Sequence, residues 1–457
     1  MYNKKNIIAI MLMVTIVFLS SSTMYAADTQ TTTVRLGGRD RFETNAMIVQ
    51  EGWQSADTVV VVRGTGKDKF ADALSAGLLA YQYDAPILLV DQNRIPQPIE
   101  DTLAKLQPAN AFIIGGTGVV SDEVAQQLES LNIKIERIWG ADRRETAVKI
   151  ADRVREKANF DTVILATGKD FPDALSAAPF SAMYNMPVLF TTNKINEYSL
   201  DDINRQALNR WGVKKVIIVG GPIVISNSIE VDIKYSITGQ PEVIRLGGIN
   251  RYETSLNIVK HFDQNDYQGI MIATGKDFPD LLAGAVFAAK NKTPILLADD
   301  KPNLYNTVEY LISRNFSKRY VLGGEGVISQ ELLDKIFSPV NTIPVPEKPT
   351  FENSIEIASM TNTDEERVSV KLRWLSLPEA NAYRVYSADG SAIAPNKYAL
   401  WLTIPIADGY IDSGYFYPAT FRLYKEKTIK WFKIEAVDSN GKVIGVGEIK
   451  IDLQNVS

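Results

Sequence analysis

Three copies of one motif carry an arginine where a helix is expected to begin, and an arginine in that position can bind an anion. The copies read RLGGRDRFET, RIWGADRRET and RLGGINRYET and begin at Arg35, Arg137 and Arg245. Each contains an aspartate or asparagine followed three residues later by a glutamate, which is the spacing of a capping box at a helix N-terminus. The cap accounts for these polar residues, and it leaves the arginine between them unexplained.

A positive charge in the first helical turn opposes the helix dipole, so its recurrence indicates a partner. The partner is either an acidic side chain of the same or a neighbouring repeat, or an anion from outside the chain. A planar guanidinium suits both because it binds carboxylate or phosphate through paired hydrogen bonds. The sequence leaves the two alternatives open, and the candidate ligand-binding residues are Arg41, Arg143 and Arg251.

A second repeated motif places a lysine in a glycine-containing loop. The copies TGKDKFADALSA, TGKDFPDALSA and TGKDFPDLLAG follow a predicted strand and open a predicted helix, and the first copy has the extra residue Lys69. The free N–H groups of such a helix can hold an anion, to which the lysine would add charge. The alternative is a tight turn with the lysine in solvent. The candidate residues are Lys67, Lys169 and Lys276.

The elements around these motifs predict an α/β fold. Continuous apolar runs such as TVVVV, PILLV and AFIIGG are typical of strands buried on both faces of a parallel sheet, and helix-forming stretches separate them. The capping glutamates lie about 100 residues apart, a domain-sized period. We therefore predict three α/β modules, at residues 34–136, 137–244 and 245–337.

The flanking segments have different character. Lys4, Lys5 and the apolar run Ile7–Leu19 predict a secretory signal peptide at 1–26, hence an exported protein with no membrane association after cleavage. The proline-rich stretch 338–350 is typical of a linker. Residues 351–457 alternate apolar and polar residues, which predicts an all-β sandwich domain.

Composition narrows the chemistry. The net charge is −5, there is no cysteine, and His261 is the only histidine. Nucleic acid is therefore not an expected partner, and a thiolate metal site, a cysteine nucleophile and a histidine triad in every repeat are excluded. We predict no metal, no cofactor and no enzymatic activity. A hydrolase or an adhesin, with its activity in the C-terminal domain, is the alternative.

Together the three modules resemble the cell wall binding repeat 2 family of Gram-positive surface proteins, over Val34–Ile336. The resemblance implies Rossmann-like modules in a pseudo-threefold arrangement and a place at the cell surface. It also implies non-covalent attachment to an anionic secondary polymer of the wall, a polysaccharide or a teichoic-acid-like chain, with S-layer proteins as a further class of partner. The C-terminal region, with Trp374, Tyr383 and Tyr386, resembles a fibronectin type III-like sandwich.

The family resemblance also implies that an isoleucine-leucine-leucine stretch in each module binds the polymer. The middle module departs from this pattern, since it has valine, leucine and phenylalanine instead. By its own composition, each stretch is expected to be a buried strand, which argues against direct contact. The residues concerned are Ile87, Leu88, Leu89, Val188, Leu189, Phe190, Ile295, Leu296 and Leu297.

Overall fold

A computed structural model of the chain describes residues 31–452, with gaps. The gaps are 67–70, 169–170, 192–198, 222–223, 249, 264–266, 300–304, 315, 338–354, 363–366, 376–381, 390–398, 406–409, 413–414, 418–420, 425–428 and 438–441. The predicted signal peptide (1–26), the predicted linker (338–350), Lys67 and Lys169 lie outside the described residues, and their assignments remain predictions.

Three four-stranded parallel sheets confirm the predicted α/β fold, and the predicted boundaries after residues 136 and 244 fall inside the strands Lys134–Ile138 and Glu242–Leu246. Their central strands are buried almost throughout, as the continuous apolar runs require. In spatial order the first sheet contains Ile87–Val90, Thr58–Arg63, Asn110–Ile114 and Lys134–Ile138. The second contains Val188–Thr191, Thr162–Thr167, Lys215–Val219 and Glu242–Leu246. The third contains Ile295–Ala298, Gly269–Thr274, Lys318–Leu322 and Thr32–Leu36.

Helices connect the strands in every module. In chain order the described α-helices of the repeats are Arg41–Gly52, Ala76–Gln82, Gln97–Leu106, Asp122–Ser130, Arg143–Arg155, Pro172–Met183, Asp202–Trp211, Asn227–Ser236, Arg251–Phe262, Pro279–Lys290, Tyr305–Ile312 and Gln330–Phe337. A short 3-10 helix, Ala71–Ser75, precedes the second of them. Within the described residues, no helix has both the length and the apolar character that crossing a bilayer requires.

The strand that opens each repeat lies in the sheet of the preceding repeat. Strand Lys134–Ile138 pairs with Asn110–Ile114, and Glu242–Leu246 pairs with Lys215–Val219. The corresponding strand of the first repeat pairs with the third sheet, from Thr32 beside Lys318 to Leu36 beside Leu322. The N-terminal strand therefore closes the three modules into a ring. We call the contacts between repeats one and two, two and three, and three and one the first, second and closing junctions.

The opening arginine of the motif fastens each junction. At the closing junction, Arg35 Nη1 donates to the carbonyl oxygens of Gly323 and Ile328, at 3.1 and 2.8 Å. Arg137 and Arg245 make the equivalent pairs of hydrogen bonds at the first and second junctions, to turns of the preceding repeat. Charged donors strengthen these bonds, so each arginine couples two consecutive repeats.

Three equivalent helices meet where the modules join. Ala76–Gln82, Pro172–Met183 and Pro279–Lys290 contact one another pairwise, and they are rich in alanine and other small residues that allow close approach. Almost all of their residues are buried. This mutual contact of one helix from each repeat is the pseudo-threefold core that the family resemblance implies.

The capping residues act as predicted. The side chain of Asp40 accepts hydrogen bonds from the backbone N–H groups of Phe42 and Glu43, and Asp142 and Asn250 do the same in the other repeats. Glu43 Oε2 accepts from the N–H of Arg39, the residue before the cap, at 2.8 Å, and not from the N–H of the cap residue as in a capping box. These bonds satisfy N–H groups that a helix N-terminus leaves unpaired, so the polar residues of the motif have a structural role.

The C-terminal region consists of two antiparallel sheets. The described strands are Glu356–Asn362, Arg367–Leu375, Ala382–Asp389, Ala399–Pro405, Tyr410–Asp412, Tyr415–Tyr417, Phe421–Tyr424, Ile429–Val437 and Val443–Asp452. The rings of Trp374 and Tyr383, one from each sheet, pack edge to face with their centres 5.4 Å apart, and both are fully buried. Packing across the two sheets gives the predicted β-sandwich, whereas the fibronectin type III-like resemblance remains a prediction.

Candidate functional site

The helix-start arginines lie at the carboxyl ends of the central strands. Each guanidinium donates from Nη1 to the carbonyl oxygen of the glycine that directly follows the central strand of its own repeat. The pairs are Arg41 with Gly64, Arg143 with Gly168 and Arg251 with Gly275. An arginine at the first helical position is therefore stabilised by a backbone carbonyl, and it ties the helix to the loop beside it. This contact explains why the residue recurs.

Two of these arginines also reach the loop of the preceding repeat. Arg41 Nη2 lies 3.4 Å from Asp277 Oδ2, and its guanidinium carbon is 5.9 Å from the ring centre of Phe278. Arg251 lies 5.8 Å from the ring centre of Phe171, which packs edge to face on Phe278 at 6.0 Å. For Arg41, the alternative of an acidic partner in a neighbouring repeat is therefore observed.

The contacts of the loop glycines show that aligning the three TGKD motifs by residue identity pairs the wrong glycine in the first repeat. The counterpart of Gly168 and Gly275 is Gly64, which accepts from Arg41, and not Gly66 in the TGKDKF motif. Five residues separate Gly64 from Phe70, whereas two separate Gly168 from Phe171. The first loop is therefore three residues longer than the others, and the expectation of a single extra residue, Lys69, was wrong.

Lys276, the one described lysine of this loop motif, forms an ion pair. Its Nζ lies 2.8 Å from Oδ1 of the buried Asp299, while two-thirds of the lysine side chain is exposed. Tyr252 donates its hydroxyl to the other carboxylate oxygen at 2.9 Å. Burial and this hydrogen bond raise the pKa of Tyr252, so that its hydroxyl stays a donor. Lys276 is therefore paired with a carboxylate of the same chain, at the surface where an anion would approach.

The apolar triplets lie in the core of each module. All nine side chains have 2% of their surface or less exposed, as expected for a buried strand. A polymer cannot contact these side chains in the folded chain, so any dependence of binding on them is indirect. The residues are Ile87, Leu88, Leu89, Val188, Leu189, Phe190, Ile295, Leu296 and Leu297.

Each triplet lies in the outermost strand of its sheet. In the first and third repeats a side chain of the helix that the arginine begins hydrogen-bonds the unpaired edge of this strand, whereas the second repeat has Ala147 in that position and Asn204 Nδ2, from another helix, donates to Phe190 O at 2.8 Å. Asn45 Nδ2 donates to Ile87 O and Asn45 Oδ1 accepts from Leu89 N, both at 2.8 Å. In the third repeat Ser255 Oγ takes the same place and accepts from Leu297 N at 3.0 Å. These buried polar groups protect a strand edge that would otherwise lack partners. The sequence pattern does not indicate them, because a single polar residue in an apolar helix face carries no information about its partner.

A buried carboxyl group at the closing junction was also missed. Burial, and then the nearby charge of Asp277, raise the pKa of Asp280 to about 6, although Arg41 acts in the opposite direction. Its Oδ2 lies 3.0 Å from the position that a Cβ on Gly323 would occupy. Gly323 has φ +104°, a backbone conformation that favours glycine. In the part of the chain that the structure describes, no group of three acidic or histidine side chains could hold a metal ion.

The fold and its junctions define a class of protein in which three α/β modules form a ring, and at each junction an arginine hydrogen-bonds the neighbouring module. Residues 35–125, 137–230 and 245–333 each match the Cell wall binding domain 2 family. The chain belongs to that family.

Similar proteins share the repeat region. The chain is 31% identical over 307 residues to the N-acetylmuramoyl-L-alanine amidase LytC of Bacillus subtilis (strain 168), a match covering 67% of this chain and 58% of the amidase. It is 32% identical over 270 residues to the Amidase enhancer of the same organism, covering 59% of this chain and 35% of that protein. The chain thus spans less than two-thirds of the length of either relative.

Solved structures agree with the fold. Cwp6 from Clostridium difficile superposes with a TM-score of 0.61 at 27% identity, over 67% of this chain and 47% of that one. Cwp8 from the same organism superposes with a TM-score of 0.58 at 26% identity, over 68% and 52% of the two chains.

Proposed function

We propose that the three-module ring attaches this protein non-covalently to an anionic secondary polymer of a Gram-positive cell wall. The observation that carries the proposal is that all three repeats match the cell wall binding family. Three sites on one rigid body raise the effective concentration of each for a repeating polymer, so modest affinity at each site is sufficient. The C-terminal β-sandwich is then displayed at the cell surface after export.

The family relatives support this location. Two similar proteins carry amidase names and two similar structures are Cwp proteins, and each match covers 59–68% of this chain. We infer that this chain acts by binding and that it has no catalytic activity of its own. S-layer proteins are a second proposed class of partner, through neighbouring positions on the wall.

The proposal is tested by co-sedimentation of the full chain with walls purified from Bacillus subtilis. One half of the wall preparation is extracted with hydrofluoric acid, which cleaves the phosphodiester bonds that hold secondary polymers. We expect the chain to sediment with intact walls and to stay in solution with extracted walls. Equal binding to both preparations would assign the ligand to peptidoglycan instead, and no binding to either would refute wall attachment.

Salt separates polymer contacts from internal ones. The screening length shortens to about 3 Å at 1 M salt, so exposed contacts with an anionic polymer weaken while half-buried ones change less. We expect binding to intact walls to fall between 0.05 and 1 M salt, roughly as the number of phosphate or carboxylate contacts dictates, with no change in the melting temperature of the chain. Binding that rises or stays constant with salt would exclude an electrostatic mode.

The three helix-start arginines need a test that separates folding from binding. Because each donates to a loop carbonyl, changing Arg41, Arg143 and Arg251 together to glutamine should lower the melting temperature as well as wall binding. Arg94, whose side chain is 74% exposed, provides the matched control, Arg94→Gln. Binding is measured well below the melting transition. A triple variant that melts normally would contradict the structural role of these arginines.

A further inference from the structure

The first junction is built differently from the other two. At the closing and second junctions a glycine touches the facing turn, since a Cβ on Gly37 would lie 2.4 Å from the carbonyl carbon of Gly323, and one on Gly247 would lie 2.9 Å from Gly221 N. At the first junction the same motif position is Trp139, and 51% of its surface is exposed. An aromatic side chain therefore fits at this junction and is excluded from the others.

The indole of Trp139 rests on the turn of the first repeat. A Cβ on Gly116 would lie 3.5 Å from Cε3 of the indole, so the glycine allows the ring to approach the backbone closely. Lys149 Nζ donates to the carbonyl oxygen of Trp139 at 2.9 Å and lies 5.7 Å from the ring centre. The ring is therefore positioned by its surroundings, while half of its surface remains open to solvent.

Trp139 lines a cleft of about 430 Å³ between the first and second repeats. The first repeat contributes Asp72 and Thr117, and the second contributes Asp142 and Arg143. The volume falls within the roughly 300–1,000 Å³ of small-molecule sites, which combine an apolar surface with a few polar groups. An exposed indole, a hydroxyl, carboxylates and a guanidinium are brought together here by two repeats.

We propose that this cleft binds one pyranose ring of the wall polymer, with Trp139 as the stacking surface; the inference rests on the proposed function. The C–H groups on one face of a sugar ring carry partial positive charge and pack on the negative face of an aromatic ring. The ring hydroxyls match the side chains of Asp72 and Thr117, which can accept hydrogen bonds.

The charged groups of the cleft suit the hydroxyls of a sugar. Asp72, Asp142 and Arg143 line the cleft, and carboxylates accept hydrogen bonds from hydroxyls while a guanidinium donates to them. Lys149, beside the indole, is paired with Glu145 at 3.0 Å. An unsubstituted sugar would use the indole and the hydrogen bonds alone. The polymer would therefore bind the three junctions unequally, and the first junction would be the one that recognises its sugar.

The test compares Trp139→Ala, Trp139→Tyr and Tyr235→Ala in the full chain. Tyr235 is 76% exposed, belongs to the same repeat and does not line the cleft, so it is the matched aromatic control. Half-saturation of intact Bacillus subtilis walls is measured by depletion. We expect Trp139→Ala to weaken binding by about tenfold, as the loss of an aromatic anchor does, and Trp139→Tyr to weaken it by much less. Tyr235→Ala should bind like the unaltered chain.

A spectroscopic readout links the loss to a sugar. Soluble polymer, still attached to peptidoglycan fragments after muramidase digestion of these walls, is added to each chain, and the tryptophan emission is recorded. We expect the unaltered chain to show an emission change that Trp139→Ala lacks. Equal wall binding by the unaltered chain and Trp139→Ala would overturn the sugar site and leave the proposed function standing. Failure of the unaltered chain to bind walls would overturn both.

Discussion

The closing junction and the first junction use the same motif in opposite ways. At the closing junction Gly37 packs directly on the backbone of Gly323, and the strand that it follows, Thr32–Leu36, pairs with a strand of the third repeat. At the first junction Trp139 replaces the glycine, and a cleft opens beside it. One junction is therefore built to seal the ring and the other to leave a space. The three repeats share the arginine at each junction, and a single motif position, which is glycine or tryptophan, decides whether two modules pack tightly.

The sharpest test of this comparison is Gly37→Ala. The added Cβ would lie 2.4–2.6 Å from three backbone atoms of Gly323 and Gly324, so the junction must separate. We expect the free energy of unfolding of the repeat region to fall by about 3 kcal/mol, as measured by urea unfolding.

Gly118 provides the control for this substitution, since no atom lies within 4 Å of a Cβ built there. Gly118→Ala should therefore be nearly neutral. A Gly37→Ala variant as stable as Gly118→Ala would show that the closing junction is not tightly sealed.

The arginines at the junctions are expected to have the next largest effect. Arg35→Ala removes two hydrogen bonds from a charged donor to backbone carbonyls, and Arg137→Ala removes three, each substitution at a cost of about 2 kcal/mol. Arg35→Ala should also speed hydrogen exchange in the strand Thr32–Leu36, because its partner strand Lys318–Leu322 is remote in the chain and the pairing closes a long loop. The strand Lys134–Ile138, whose partner Asn110–Ile114 is close in the chain, should stay protected in Arg137→Ala. Equal exchange in both strands would contradict this difference.

A smaller effect of opposite sign is expected from Asp280→Asn. The folded pKa of Asp280 is about 6 and its ordinary value is 3.8, so the folded state binds more protons between these values and the carboxyl group lowers stability as pH rises. Its cost is absent below pH 4 and complete above pH 6. Asparagine removes it, so we expect a gain of about 1–2 kcal/mol at pH 7.5 that disappears near pH 4. The check is thermal unfolding at both pH values, and an equal gain at each would refute the burial explanation.

The smallest effect should come from Trp139→Gly, which gives the first junction the residue of the other two. Because half of this side chain is exposed and the cleft already separates the repeats, we expect unfolding to change by no more than about 0.5 kcal/mol. Urea unfolding provides the measurement. A loss comparable to that of Gly37→Ala would mean that Trp139 holds the junction together, and it would argue against a ligand-binding role.

Much of the site could be predicted from local patterns. Asp40, Asp142 and Asn250 cap their helices as the motif spacing indicates, because a cap depends on atoms only two or three residues away. The apolar runs became buried strands for a similarly local reason. The acceptor of Arg41 could not be predicted in the same way, since Gly64 comes close only when the helix docks beside the end of the strand. Because the first loop is longer, an alignment by residue identity does not pair Gly64 with Gly168 and Gly275.

The sequence by itself determined the three repeats, their α/β elements, the helix caps and the burial of the apolar triplets. These follow from periodicity, residue type and short-range hydrogen bonding. Only the tertiary structure decided that the strand Thr32–Leu36 joins the third sheet, that Arg35 reaches Gly323, and that a cleft opens beside Trp139. Such pairings join residues far apart in the chain, and any edge strand offers the same backbone groups. Their choice depends on how three whole modules pack, which no local pattern contains.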